Sequence, residues 1–106
     1  MIEKLGKGVE GLSVGQKVTI QPQVVCGECW PCRNGKYNLC ESLKVMGFQT
    51  TGVASEYFAV DGEKVTPLPE EMSLEEGAMI EPLGVAVHAV RRAGGVRGRG
   101  ICVLGG

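Results

Sequence analysis

Cys26, Cys29, Cys32 and Cys40 fall within fifteen residues in a C-x₂-C-x₂-C-x₇-C run, and they are four of the five cysteines in a chain of 106 residues. Thiolates two residues apart across a tight turn can converge on one ion, and a fourth returned by a short loop completes the tetrahedron that Zn²⁺ prefers. Four sulfurs fill that tetrahedron. No position is left for water or substrate, so such a site holds a loop in shape and performs no chemistry itself. A disulfide framework is a competing reading, but the sequence carries no secretory-leader pattern, and thiols in a reducing compartment pair with metal more readily than with each other. An iron–sulfur cluster is another, since bacterial ferredoxins also begin C-x₂-C-x₂-C; their next cysteine follows after three residues and precedes proline. Here the gap is seven and Glu41 follows. The pattern favours structural zinc over both, in a cytoplasmic setting. The fifth cysteine lies in the apolar run Ile101-Cys102-Val103-Leu104 and is expected to be a small buried hydrophobe.

Eleven basic and twelve acidic residues give a formal charge of −1, with no polybasic stripe and few aromatics. The electrostatic footprint of a nucleic-acid binder is missing. No apolar run reaches the roughly 18–20 residues of a membrane span, so neither nucleic acid nor membrane is an expected partner. At this length the chain is at most one small domain with a modest core. Zinc binding by small structural peptides is worth about 10–16 kcal/mol, as large as the stability of a typical domain, so a metal would weigh heavily here.

Seventeen glycines, several at Gly6, Gly8, Gly11 and Gly15 and again from Gly94 onward, punctuate turns of a fold expected to be mainly β with helices at its C-terminal end. Met1 to Leu5 is apolar enough for a strand. Lys17-Val18-Thr19-Ile20-Gln21 alternates as a half-buried strand does, and Pro22 ends it. Residues 22–45 then form the cysteine lobe, where Arg33, Lys36 and Lys44 either offset the charge of four thiolates or are ordinary solvated cations. Ser55 to Val60 and Lys64 to Leu68 restore strand patterns. Ser73-Leu74-Glu75-Glu76 is a capping box that should start a helix, and Pro82 should begin a second one with Leu83, Ala86, Val87 and Val90 on one face. Gly94 should stop it, with Arg91 and Arg92 in the last turn. Ile101 to Leu104 then reads as a buried parallel strand entering Gly105-Gly106.

In this order the segments resemble the zinc-containing medium-chain alcohol and polyol dehydrogenases, the group of the sorbitol, threonine and butanediol enzymes. The resemblance covers essentially the whole chain. Cys26, Cys29, Cys32 and Cys40 match that family's structural-zinc lobe, and Gly35-Lys36-Tyr37-Asn38-Leu39-Cys40 is similar to the lobe's ending. Gly52-Val53-Ala54-Ser55-Glu56-Tyr57 resembles its Gly-x-x-x-Glu-Tyr segment. Glu81-Pro82-Leu83 with Val85-Ala86-Val87-His88 resembles the polyol-type segment that lines the catalytic zinc. Gln16 stands where an aspartate is common.

The resemblance implies part of a GroES-like catalytic domain over residues 1–93 and the start of a nucleotide-binding Rossmann domain over 94–106. The parent enzyme would oxidise a secondary alcohol or polyol by hydride transfer to NAD or NADP at a second, catalytic zinc, and would assemble as a homo-oligomer. Gly105 matches the first glycine of the phosphate turn, so it is the one cofactor-binding candidate. Glu81 matches a carboxylate that approaches the catalytic zinc; a glutamate placed only to favour the start of a helix is the alternative. The family's remaining catalytic ligands match no residue here, so no catalytic residue is assigned and the 106-residue chain by itself is expected to be inactive. A stand-alone zinc-binding scaffold or interaction module is the competing function. His88 matches no family ligand and reads as an ordinary packed or hydrogen-bonded imidazole. Phe48 could face a substrate pocket or fill the core.

Overall fold

The computed structural model describes residues 1–104. Its order is β1 (Val18–Ile20), β2 (Gln23–Val24), α1 (Trp30–Arg33), a 3₁₀ turn (Tyr37–Leu39), β3 (Lys44–Val45), a second 3₁₀ turn (Gly62–Lys64), β4 (Val65–Pro67), α2 (Leu74–Ala78) and α3 (Ile80–Arg92). β1 pairs antiparallel with β4, Thr19 opposite Thr66, and β2 pairs antiparallel with β3, Val24 opposite Lys44. Backbone bonds lengthen both ladders: Gln21 N–H donates to Lys64 O at 2.9 Å, Leu68 N–H to Lys17 O at 2.9 Å, and Met46 N–H to Pro22 O at 2.9 Å. Pro22 offers no N–H and divides the alternating stretch from Val18 to Val24 into two strands that join different partners. The antiparallel β2–β3 pair therefore closes the base of the cysteine lobe.

Leu68 is the one buried aliphatic side chain among the described residues; the other two buried apolar residues are Cys32 and Cys40. Leu68 lies against Gly77 of α2 so closely that a methyl group on Gly77 would collide with its Cδ1. Lys17 ties the same region together, its Nζ donating to Glu70 O at 2.9 Å and Met72 O at 2.8 Å. A second close approach joins two loops, where a Cβ on Gly52 would lie 2.6 Å from Gly47 Cα.

The capping box forms as read. Ser73 Oγ accepts from Glu76 N–H at 3.1 Å, and Glu76 Oε2 accepts from Ser73 N–H at 2.8 Å. That backbone N–H holds the Glu76 carboxyl below its ordinary value. Replacing Ser73 by alanine should destabilise α2 by about 1 kcal/mol. Because the carboxyl is depressed, its contribution is present above the ordinary carboxylate range and is lost as pH falls through the depressed value. Thermal melts of the parent and a Glu76→Gln variant, which keeps the shape and removes the charge, should differ at pH 7 and converge at pH 3.

The second helix starts at Ile80, two residues before Pro82. A proline ring clashes with the carbonyl four residues earlier, here Ala78, and Ala78 is where α2 ends. Met79 is shared as the end of one helix and the start of the next. α3 ends in a complete C-terminal motif, with Gly94 at φ 73, its N–H on Arg91 O at 3.1 Å, and Gly95 N–H on Val90 O at 3.2 Å. Leu83, Val87 and Val90 share a face as expected and are exposed, as is Val85.

Three expected strands do not form. Met1 to Leu5 makes only a two-bond pairing across a turn, Ile2 N–H to Gln16 O at 3.0 Å and Gly15 N–H to Ile2 O at 2.8 Å, too short for a ladder. Ser55 to Val60 is loop because its polar groups close on each other, Ser55 N–H on Val53 O at 2.8 Å and Ser55 Oγ on Tyr57 O at 2.9 Å, leaving Tyr57 exposed. Ile101 to Leu104 finds no neighbouring strand among the described residues and lies exposed. Cys102 is accordingly an exposed thiol and not a buried hydrophobe.

Candidate metal centre

The four cysteines reach one point by different local routes. Cys26 lies two residues past the end of β2, and Gly27, at φ 76, reverses the chain so that Cys29 N–H donates back to Cys26 Sγ at 3.4 Å. Cys29 is the N-cap of α1 and Pro31 occupies its first turn. One turn of helix then carries Cys32 inward. Gly35, at φ 68, stops α1, with Gly35 N–H on Cys32 O at 3.1 Å and Lys36 N–H on Pro31 O at 2.8 Å. The 3₁₀ turn over Tyr37–Leu39 returns Cys40, whose Sγ accepts from Cys26 N–H at 3.4 Å.

The Sγ atoms of Cys26, Cys29, Cys32 and Cys40 all lie within 4.8 Å of one another, and Cys26 and Cys40 are 3.6 Å apart. A zinc tetrahedron with Zn–S bonds of about 2.3 Å has sulfurs roughly 3.8 Å apart, so the cage has the right dimensions as well as the right donors. Cys32 and Cys40 are buried, at 4 % and 7 % exposure, Cys29 is half-buried and Cys26 exposed. The residues fit the ion.

Electrostatics divide the thiols of the metal-free chain. The Cys32 N–H, followed by the Glu41 N–H, stabilises the Cys29 thiolate and brings its pKa down to about 7. Burial, reinforced by the neighbouring Cys29 sulfur, pushes Cys32 up to about 12. The Cys26 N–H lowers Cys40. Backbone N–H groups aimed at sulfur are the local device that readies thiolates for a cation. In the sequence only Gly27, immediately after Cys26, marks such a device, the turn that aims the Cys29 N–H at Cys26 Sγ; the other donors arise with the folded backbone. Lys36 stands 5.4 Å above the Trp30 ring, a cation–π contact on the outside of the lobe.

The other sequence candidates lie elsewhere. Among the described residues the cysteine cage is the only group of three or more His, Cys, Asp or Glu side chains able to share an ion, and Glu81, in the first turn of α3, belongs to no such group. His88 is exposed on α3 and not packed as expected, because that face of α3 has no neighbour among the described residues, and Phe48 is exposed, which sets aside a core-filling role. Gly105 lies outside the described residues. No helix among them is long and apolar enough to cross a membrane.

The family model described as "Alcohol dehydrogenase GroES-like domain" matches residues 1–70. A protein of Neosartorya fischeri named "Probable D-xylulose reductase A" is 42 % identical over 109 residues, which cover 99 % of this chain and 30 % of that protein. The crystal structure of galactitol-1-phosphate dehydrogenase from Escherichia coli superposes with a TM-score of 0.80 at 35 % identity, over 89 % of this chain and 27 % of that one. A structure described as a short chain alcohol dehydrogenase (rspB) from E. coli CFT073, complexed with NADH, gives a TM-score of 0.76 at 37 % identity, over 85 % and 27 % of the respective chains. This chain spans about 30 % of the length of the curated relatives it matches.

Proposed function

We propose, because this chain belongs to the alcohol dehydrogenase GroES-like domain family, that it serves as the structural-zinc portion of a zinc-dependent alcohol or polyol dehydrogenase. The observation that carries this reading is the four-sulfur cage in a chain that matches dehydrogenases along almost its whole length. Cys26, Cys29, Cys32 and Cys40 hold the structural ion, and that ion fixes the lobe over residues 22–45. Residues 1–93 belong to the catalytic domain and 94–106 lead into the nucleotide-binding domain, where Gly105 would approach the cofactor phosphates. In the whole enzyme, Glu81 would stand near a second, alcohol-activating zinc. NAD or NADP would accept hydride from a secondary alcohol or polyol in a cytoplasmic homo-oligomer without nucleic-acid or membrane partners.

The chain's own residues do positioning work. β2 and β3 close the base of the lobe, Gly27 and Gly35 turn it, and backbone N–H groups hold the thiolates ready. The bound ion supplies only cross-linking, since four sulfurs leave no open coordination position. A chimera tests the reading: this chain replaces the aligned segment of the N. fischeri protein, and zinc content and xylulose-dependent NAD(P)H turnover are measured. The expected chimera binds the structural zinc and turns over. A folded, zinc-loaded chimera without turnover would count against the dehydrogenase role and favour a self-contained zinc scaffold.

A further inference from the structure

The centre is asymmetric in a way that its role as a static cross-link does not require. Cys26 is exposed, whereas Cys32 and Cys40 are buried. Its sulfur is 3.6 Å from Cys40 Sγ and is joined to that residue by the Cys26 N–H as well. No other side chain of the lobe is buried beyond Cys32 and Cys40, so apolar packing contributes little to holding it. Loss of two donors would remove most of what keeps it ordered.

We propose that this centre is also a peroxide-sensitive switch, in which an oxidant entering at Cys26 closes a Cys26–Cys40 disulfide and releases the ion; the proposal rests on the structural-zinc reading above. The Cys26 thiolate attacks one oxygen of a hydroperoxide, the O–O bond breaks, and the leaving oxygen takes a proton to become water or alcohol. Cys26 is then a sulfenic acid. The Cys40 sulfur attacks it, the S–S bond forms as the S–O bond breaks, and the departing hydroxide is protonated to water. Two thiolates have given two electrons to the peroxide. Cys29 and Cys32 remain as the only sulfur donors, too few for a tetrahedral site.

The choice of partner follows from topology. β2–β3 pairing already holds the two ends of the lobe together, so a bond from Cys26 to Cys40 spans points the fold has juxtaposed and leaves the loop closed. Reduction then regenerates all four thiols in place. The switch is reversible for that reason.

The test uses the zinc-loaded chain carrying Cys102→Ser, which removes the exposed thiol outside the lobe. Zinc content is measured first, and a metal-free protein at this stage would refute the zinc reading itself, a result separate from any failure of the switch. Hydrogen peroxide is then added in steps, with released zinc followed by a chromogenic chelator and disulfides mapped by mass spectrometry of peptides. One zinc should leave as one Cys26–Cys40 bond forms, and dithiothreitol should restore zinc uptake. Zinc retained while Cys26 is oxidised, release accompanied by a Cys29–Cys32 bond, or release that reductant does not reverse would each overturn the proposal.

Discussion

Replacing Cys32 by serine should weaken zinc binding by about two to three orders of magnitude and disorder the lobe. One of four thiolates carries roughly a quarter of the 10–16 kcal/mol of a structural site, about 2.5–4 kcal/mol, and 1.4 kcal/mol is a tenfold change. Cys32 is the most buried of the four and sits where α1 points into the cage. A serine hydroxyl there is a poor donor to zinc and leaves a polar group in a dry position. Competition with a chelator of known affinity gives the weakening directly. Hydrogen exchange should show residues 22–45 losing protection while α3, which shares no ligand with the site, changes little; an affinity within a fewfold of the parent would contradict the assignment of Cys32 as a ligand.

Zinc uptake should also depend steeply on pH. Every ligand must be a thiolate, so binding releases each proton the metal-free thiols still hold. At pH 7, Cys32, raised to about 12, gives up a whole proton, and Cys29, lowered to about 7, gives up about half of one. Cys32 alone sets a slope of at least about 1 in the logarithm of apparent affinity against pH, or roughly tenfold per pH unit, and Cys29 steepens it. Affinity falls as pH falls, since acid returns protons to sulfur. For Cys29 alone, the lowered value means that its stabilising thiolate is present above its ordinary range and is lost as pH drops toward about 7. Calorimetry in two buffers of different ionisation enthalpy counts the protons, and release of fewer than one per zinc would contradict this division of roles.

What the sequence disclosed and what it concealed separate along a physical line. The cysteine spacing, the capping box at Ser73 and the glycine stop at Gly94 are local chemistry, decided by residues within a few positions of each other, and each appears in the structure as read. The strands expected at Ser55–Val60 and Ile101–Leu104 depend on a partner elsewhere, which alternation and hydrophobicity cannot supply. Pro82 marked a helix boundary, but the clash that sets it acts four residues upstream, so the break falls at Met79. The N–H groups that ready the thiols, and the Lys17 tie to Glu70 and Met72 across more than fifty residues, arise only once the backbone is folded.

Four sulfurs of one lobe gripping a single zinc ion is the arrangement on which the rest depends. Mass spectrometry of the purified chain under non-denaturing conditions, with elemental analysis of the same sample, tests it most directly. One zinc per chain is expected, lost on chelation together with the order of residues 22–45. A metal-free chain with Cys26, Cys29, Cys32 and Cys40 paired as disulfides, or one carrying iron and absorbing in the visible, would contradict it.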